Sequence, residues 1–239
     1  MKKNWKRLAE AALISLGAPR VVTIQDLQSY ARLNAERQPS ASAVTRWVRM
    51  LNETGKLQPV TRGVYLNRLA GPSVHPAEAS QYIRRGAVVS LAWVLERSGA
   101  LNNFGDTVTC VVPQCSDFSP PRVGERETTA GQFRFYAVRM TVLSAGRENI
   151  EDVQDLNFAY PRATPERALL DWIYLGACVR SRLSLPPLDI QMHQMNPSRL
   201  KRLASAMGIA RQWTEWHARW NSYQSAEDVG QNASEALSF

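Results

Sequence analysis

Cysteine, histidine and long apolar segments are scarce in this chain of 239 residues. The three cysteines are an odd number without CxxC spacing, which fits reduced thiols in the cytoplasm and excludes a disulfide framework. The three histidines, His75, His193 and His217, have no partners at metal-ligand spacing, so no metal site is predicted. The longest strongly apolar stretch, residues 86–95, is shorter than the about 20 residues of a membrane-spanning helix. We therefore expect a cytoplasmic protein that does not insert into a membrane.

The motifs of the common enzyme classes are also missing. The chain contains no GxSxG nucleophile elbow, no P-loop and no GxGxxG turn. Asp152 and Asp155 lie near the start of a predicted strand, where they could imitate nuclease acids, but no well-placed lysine follows them. We therefore predict a protein that is not an enzyme and has no catalytic residues and no cofactor. A nuclease-like enzyme stays open as a remote alternative.

The net positive charge of the chain lies in its N-terminal part. The net charge is +8, with 29 Lys and Arg against 21 Asp and Glu. Residues 1–70 contain 12 basic and 4 acidic side chains, whereas residues 71–239 contain 17 of each kind. The excess of residues 1–70 therefore equals that of the whole chain. A basic module joined to a neutral one is typical of nucleic-acid binding through one domain.

Hydrophobic spacing predicts helices at the start of the basic module. An apolar stripe of Trp5, Leu8, Ala12 and Leu16 indicates the first helix. The second helix is expected to begin after Thr23, an N-cap residue that is followed by an acidic residue in the capping-box position.

A third helix and a β-hairpin complete this module. The helix runs from a cap at Ser40 or Ser42 to about Glu53, and its apolar stripe includes Trp47, which we place in the core. Two short β segments follow around the turn Arg62-Gly63. Three helices and a hairpin in this order are typical of a winged helix-turn-helix, whose third helix enters the major groove of DNA.

Seven residues of the module are predicted to bind DNA. Arginine forks on the polar face of the third helix can reach guanine or phosphate, and hydroxyls can bond base edges or phosphate oxygens. A basic side chain at the hairpin turn would reach the DNA backbone or the minor groove, and a glycine there supplies the permissive backbone. The candidates are Ser42, Thr45, Arg46, Arg49, Lys56, Arg62 and Gly63.

The neutral remainder, residues 71–223, mixes strand-like and helical segments and is predicted to be an α+β domain. Residues 67–75 are interpreted as the linker because they contain Gly71-Pro72 and lack periodicity. Strands are expected at 107–113 and 133–139, with a loop between them. The polar residues 224–239 are predicted to form a disordered tail. The expected fold class is thus α+β, with an N-terminal winged helix-turn-helix over residues 1–70.

Two segments resemble the AbiEi family of antitoxins, which are transcriptional regulators of bacterial type IV toxin–antitoxin (abortive-infection) systems. The first segment comprises Gly55-Lys-Leu57 and Val60-Thr-Arg-Gly-Val-Tyr65, at the end of the third helix and in the hairpin. The second and more specific one is Ala163-Thr-Pro-Glu-Arg-Ala-Leu-Leu-Asp171. The resemblance covers about residues 5–215.

The resemblance implies an N-terminal winged helix that binds inverted repeats in its own promoter and a C-terminal domain needed for antitoxicity. It also implies a genetic partner, a nucleotidyltransferase-like toxin encoded next door, which is opposed without a stable complex. The second segment supplies no catalytic residue, and we expect it to form a capped helix packed against a sheet. Its motif residues are Thr164, Pro165, Glu166, Arg167 and Asp171. Because Arg167 and Asp171 are four residues apart, they are expected to form a local ion pair or to tether the helix to the sheet.

These observations predict a sequence-specific DNA-binding repressor, an antitoxin that autoregulates its operon and counteracts the toxin. Its partner would be double-stranded DNA carrying an inverted-repeat operator, to which a homodimer could bind. Two alternatives stay open: a stand-alone winged-helix regulator without a toxin, and a protein-interaction module whose basic domain binds an acidic partner.

Overall fold

The computed structural model describes residues 4–71, 74–102, 105–115, 121–155 and 158–236. Within these ranges, residues 152–155, 158–159 and 227–236 are described by their backbone alone. The side chains of Asp152 and Asp155, on which the nuclease alternative depended, therefore lie outside the description. The architecture is a mixed α+β fold that begins with a small helical region, which confirms the predicted fold class at this level.

Residues 4–70 contain three α-helices and a small antiparallel sheet. The elements are α1 (Trp5–Ile14), β1 (Val21–Thr23), α2 (Ile24–Leu33), α3 (Ala41–Glu53), β2 (Leu57–Thr61) and β3 (Val64–Asn67). The strand order is β1-β3-β2, so β2 and β1 form the two edges of the sheet. The three helices pack around an apolar cluster of their own that includes Leu27 and Leu51.

Short polar side chains begin α2 and α3. Thr23 accepts a hydrogen bond from the Asp26 amide at 3.2 Å, and the Asp26 carboxylate accepts one from the Thr23 amide at 2.8 Å. This reciprocal capping box satisfies amides that a helix start leaves without partners. The hydroxyl of Ser40 accepts from the Ala43 amide at 3.3 Å, so the N-cap of α3 is Ser40 and not Ser42.

The buried face of α1 differs from the predicted apolar stripe. Ala9 and Leu13 are fully buried, whereas Leu8 is 38% exposed and Leu16 is 90% exposed. The prediction was wrong for two reasons. The helix ends at Ile14, which leaves Leu16 outside it, and packing against α2 selects the i, i+4 row rather than the neighbouring one.

Residues 74–236 add a six-stranded sheet and six further helices within the described ranges. The elements are α4 (Ser80–Ile83), β4 (Val88–Val89), α5 (Ala92–Arg97), β5 (Thr107–Gln114), β6 (Gly124–Thr128), β7 (Gly131–Arg139), α6 (Met140–Ser144), β8 (Ile150–Asp155), β9 (Phe158–Ala163), α7 (Pro165–Gly176), α8 (Pro197–Ala206) and α9 (Ala210–Ala236). The strand order is β6-β7-β5-β4-β9-β8, in which β5 pairs in parallel with β7 and β4 with β9. The remaining neighbours are antiparallel.

The segment between β5 and β7, predicted as a loop, contains the edge strand β6. Its register places Glu125 opposite Arg134 and Arg126 opposite Phe133. Nearly all side chains of β6 are exposed, so the strand shows no apolar alternation that sequence inspection could detect. Backbone pairing with β7 supports it, and its charges suit a sheet edge.

Helix α9 continues through residues 224–236, where a disordered tail was predicted. This stretch has no proline and contains several Ala, Glu and Gln residues, which tolerate helix well. Extension of an existing helix needs no new nucleus, and polar composition alone does not end it. Residues 237–239 lie outside the description.

The first part of the chain and the six-stranded part meet in a buried ion pair, close to the predicted linker. The Arg20 Nε and Nη2 atoms lie 2.7 and 2.8 Å from the Glu78 carboxylate oxygens, and both side chains are almost fully buried. The Glu78 carboxylate also accepts from the amide of His75 at 2.7 Å. The pair therefore fixes β1 against the turn that precedes α4.

The hydrophobic core is continuous across the same junction. Val21, Val60 and Leu66 of the small sheet belong to the cluster that fills the interior beneath the six-stranded sheet. Asn67, in the predicted linker, is fully buried and donates to the Leu13 carbonyl at 2.9 Å. Of that linker, residues 67–71 and 74–75 are described, and 67–70 are packed rather than free.

No helix in the described part of the chain has both the length and the apolar character needed to cross a membrane.

His75 stands at the start of the turn that carries Glu78. Its Nδ1 accepts from the Ala77 amide at 3.1 Å, and its ring lies 4.6 Å from the Trp93 ring. Burial, and then the positive charges of Arg97 and Arg68, lower the pKa of His75 from 6.5 to about 4. The imidazole is therefore neutral in the folded protein at neutral pH, as its acceptor role requires.

We expect the free energy of unfolding to decrease as the pH falls from 6.5 towards 4. In this window the unfolded chain protonates His75 and the folded chain does not, so protons favour unfolding. Uptake of one full proton would change the free energy of unfolding by about 1.4 kcal/mol per pH unit. We expect a smaller change, because the His75 ring is partly exposed. Urea unfolding of the wild type and of His75→Asn, which keeps an acceptor but does not titrate, measures the contribution. Parallel pH profiles of the two proteins would contradict it.

Candidate nucleic-acid interface

Four of the predicted DNA contacts lie together on the exposed face of α3. Ser42, Thr45, Arg46 and Arg49 are all exposed. Their positions repeat at three- and four-residue intervals, which places them in one row along the helix. The row begins in the first turn of α3, so its N-terminal half presents two hydroxyls and one guanidinium to solvent.

The buried face of α3 determines that this row points to the solvent. Val44, Trp47, Val48 and Leu51 are buried, and Trp47 is fully so, as predicted. The Trp47 ring meets the ring of Trp5 edge to face, with centroids 5.5 Å apart. Rotating the helix to bury the polar row would expose these apolar side chains, so packing determines which residues face the solvent.

The polar side chains of the row are partly held by their own helix. Thr45 Oγ1 donates to the Ala41 carbonyl at 2.9 Å, and Arg46 Nε lies 3.4 Å from the Ser42 carbonyl. Arg49 Nε donates to Glu53 at 2.8 Å, an exposed i, i+4 pair. Each arginine uses its Nε atom in these contacts and keeps its terminal N–H groups for an external acceptor.

Arg62 and Gly63 form the turn between β2 and β3. Arg62 is exposed at the tip. Gly63 has φ of +75°, a conformation that other residues rarely adopt, and its carbonyl accepts from the Ile24 amide at 2.8 Å. This bond fixes the turn to the start of α2, so the arginine at the tip stands on a rigid support.

Lys56 differs from the other candidates because it has an acidic partner. Its ammonium group bonds the carboxylate of Glu10 on α1, and both side chains are partly buried. The lysine therefore joins α1 to the corner between α3 and β2, and its charge is already compensated. Lys56 therefore stands apart from the exposed row on α3, as a predicted DNA contact whose charge is paired within the protein.

The motif residues Thr164 to Asp171 begin helix α7. Thr164 is the N-cap and accepts from the Arg167 amide at 3.3 Å, and Pro165 occupies the first helical position. The Glu166 carboxylate accepts from the Asn196 amide at 3.1 Å. All these contacts hold α7 in place and leave none of the motif carboxylates exposed.

Arg167 is the centre of a buried polar network. It is fully buried, and its Nε donates to Asp171 at 2.8 Å, which is the ion pair that their spacing predicts. Its terminal nitrogens donate to the carbonyls of Ala145 and Val142, at 2.5 and 3.0 Å. Burial raises the pKa of Asp171, and the Arg167 charge counteracts this shift. The network joins α7 to the end of α6, a structural role.

Sequence reasoning missed one member of this network. Ser90, at the end of β4, is fully buried and donates to the other Asp171 oxygen at 2.8 Å. The only sequence signal was a single polar residue inside the longest apolar stretch, 86–95. The hydroxyl is needed there because a buried carboxylate must have donors for its oxygens.

The six-stranded sheet also has a cavity of about 330 Å³ beside β5, β6 and β7. Thr107, Glu125, Arg134, Tyr136 and Trp172 are among its lining residues. Arg134 lies 3.7 Å from the Glu125 carboxylate and 5.4 Å from the centroid of the Tyr136 ring, so its charge has partners within the cavity wall.

Within the described ranges, no three His, Cys, Asp or Glu side chains are close enough to share a metal ion. The cysteines are free thiols, and burial raises the pKa of Cys110.

Comparison of the sequence with protein-family models and with curated proteins finds no match.

Replacing Arg167 with methionine should destabilise the protein by about 3–5 kcal/mol, because a buried carboxylate would lose its counter-charge. Denaturant unfolding followed by circular dichroism measures the loss. If Arg167→Met does not fold, Asp171→Asn tests the same network, since it removes the charge and keeps the side-chain volume. Arg199→Met is the control, because Arg199 meets Glu166 at 3.5 Å from a partly exposed position and should matter by less than about 1 kcal/mol. Equal losses in the Arg167 and Arg199 variants would show that the network is not a stabilising centre.

Proposed function

We propose that this protein is a sequence-specific DNA-binding repressor whose residues 4–70 act as a winged helix-turn-helix. The observation that supports it best is the exposed row Ser42, Thr45, Arg46 and Arg49 on α3, together with the exposed Arg62 at the tip of the β2–β3 turn. In this proposal α3 enters the major groove, where its arginines read guanine edges or bind phosphates, and Arg62 contacts the backbone or the minor groove. The confinement of the +8 net charge to residues 1–70 supports the same assignment.

We further propose an antitoxin role, as the resemblance of residues 163–171 to the AbiEi family suggests. The repressor would bind an inverted repeat in its own promoter as a homodimer and would counteract a nucleotidyltransferase-like toxin encoded beside it. It would work in the cytoplasm, by binding and not by catalysis. The free thiols of Cys110, Cys115 and Cys178 are compatible with that compartment.

The antitoxin role is tested by the neighbouring gene. If that gene encodes a nucleotidyltransferase-like protein, its expression alone should arrest growth, and co-expression of this chain should restore it. Growth arrest that co-expression leaves unchanged would reduce the proposal to a stand-alone regulator.

DNA binding is tested with the promoter region upstream of the gene, by fluorescence anisotropy over a salt series. Arg46→Gln and Arg49→Gln should each weaken binding by about 1–3 kcal/mol if the side chain reads a base. A side chain that contacts only phosphate should instead reduce the salt slope by about 0.9.

Arg211→Gln is the matched control. Arg211 forms an exposed i, i+4 pair with Glu215 at 2.7 Å on α9, which copies the Arg49–Glu53 pair at 2.8 Å outside the proposed interface. Its affinity for the promoter should equal that of the wild type. If the two α3 variants also bind like the wild type, the groove assignment is wrong. If the wild type does not bind the promoter DNA but binds an acidic protein, the chain is an interaction module.

A further inference from the structure

Three arginines outside the N-terminal module lie close together on one side of the six-stranded part. Arg84 follows α4, and Arg122 and Arg126 lie before and within β6. Arg84 Nε donates to the Arg122 carbonyl at 3.0 Å, and its Nη1 donates to the Ile83 carbonyl at 2.9 Å. The Arg84 guanidinium also lies 5.5 Å from the centroid of the Phe135 ring. Its orientation is therefore fixed before any partner arrives.

Strand alternation places Arg126 and its neighbour Glu125 on opposite faces of β6. Arg126 pairs with Phe133 across β6 and β7, so it projects to the face on which Arg84 covers Phe135. Glu125 is opposite Arg134 and projects to the other face, and both residues line the cavity together with part of Arg126. In the described part of the chain, none of Arg84, Arg122 and Arg126 forms an ion pair with a carboxylate.

The three positive charges are close enough to affect each other. Burial, followed by the charges of Arg122 and Arg126, lowers the pKa of Arg84. Arg122 and Arg126 are exposed, and Arg84 is half-buried. A fixed guanidinium beside two exposed ones, none of them ion-paired with a carboxylate in the described part of the chain, favours an anion with several oxygens, because a planar fork can bind two oxygens at once.

The cluster adjoins the hairpin of the N-terminal module. In the turn between β6 and β7, Thr129 Oγ1 donates to the Pro59 carbonyl of β2 at 2.6 Å, and the Gln58 side-chain Nε2 donates to the Thr129 carbonyl. On the other side of the cluster, α4 packs against β2. Both elements that carry the arginines therefore contact the strand that leads to the Arg62 turn.

A second link leads to the same turn. Tyr82, two residues before Arg84, is exposed and lies near the Asp26 carboxylate, which adds to the effect of burial in raising the pKa of the Tyr82 hydroxyl. Asp26 caps α2, whose first amide, that of Ile24, bonds the Gly63 carbonyl in the turn. The cluster thus continues the surface of the proposed winged helix.

We propose that Arg84, Arg122 and Arg126 form a second phosphate-binding surface, which contacts the backbone of duplex DNA beside the segment read by α3 and the β2–β3 turn. The inference rests on the proposed function. DNA is the partner we favour because the cluster adjoins the proposed interface and because backbone contacts outside the read bases position a protein on its site. The neutral second half of the chain would then contribute a local positive surface despite its zero net charge.

The test is the salt dependence of DNA binding by the full chain. The variant Arg122→Gln/Arg126→Gln removes two exposed charges and leaves Arg84, which has packing contacts, in place. The control Lys201→Gln/Arg202→Gln removes two exposed charges from α8. The probe is the upstream promoter duplex of about 40 base pairs, or roughly four turns of DNA, with a shuffled duplex of equal length.

The variant Arg122→Gln/Arg126→Gln is called the β6 variant, and Lys201→Gln/Arg202→Gln is called the α8 control. We expect the β6 variant to reduce the slope of log affinity against log salt concentration by about 1.8, which is ~0.9 for each lost phosphate contact. The loss should be equal on the promoter and shuffled duplexes, since phosphates carry no sequence information. The α8 control should keep the wild-type slope, and all variants should keep the wild-type melting temperature.

The outcomes separate this inference from the proposed function. A wild-type slope in the β6 variant, with binding lost in Arg46→Gln, overturns the second surface and leaves the proposed function intact. A reduced slope in the β6 variant, with unchanged binding in the α3 variants, supports the second surface and contradicts the groove assignment. An equal reduction in the α8 control would show a nonspecific effect of net charge and would overturn the inference. A wild type that binds an acidic protein and no duplex overturns both.

Discussion

The buried ion pair of Arg20 and Glu78 is the contact on which the arrangement of the molecule depends. Two nearly solvent-free charges can persist only in good geometry, and both guanidinium bonds are 2.8 Å or shorter. The pair holds β1 of the small sheet against the turn before α4, and the continuous apolar core around Val21 and Leu66 reinforces it. The exposed polar row on α3 therefore has a fixed position relative to the six-stranded sheet.

The features that the sequence predicts well are those determined within a few residues. The caps of α2 and α7 follow from Thr23 and Thr164, whose hydroxyls accept bonds from amides three residues on. The ion pair of Arg167 and Asp171 follows from its i, i+4 spacing. The polar row on α3 follows in the same way, because its buried stripe, centred on Trp47, leaves one orientation for the helix.

The features that could not be predicted join residues far apart in the chain. Arg20 and Glu78 are 58 positions apart, and Ser90 and Asp171 are 81 apart. No local pattern marks either pair, since only the tertiary fold brings each buried polar residue to its partner. Strand β6 could not be predicted for a related reason. It is defined by its pairing with β7 and shows no apolar alternation in the sequence. The ion pair of Lys56 with Glu10 is a further contact of this kind, because the two residues are 46 positions apart.

The contact between Thr129 and β2 has a consequence for the solubility of the chain. β2 is an edge strand, and an edge with open backbone groups recruits strands from other molecules. Here Pro59 has no amide hydrogen to offer, and the Thr129 hydroxyl occupies its carbonyl. The turn between β6 and β7 therefore covers part of the β2 edge, and residues 4–70 expressed alone would keep Pro59 but expose its carbonyl to other strands.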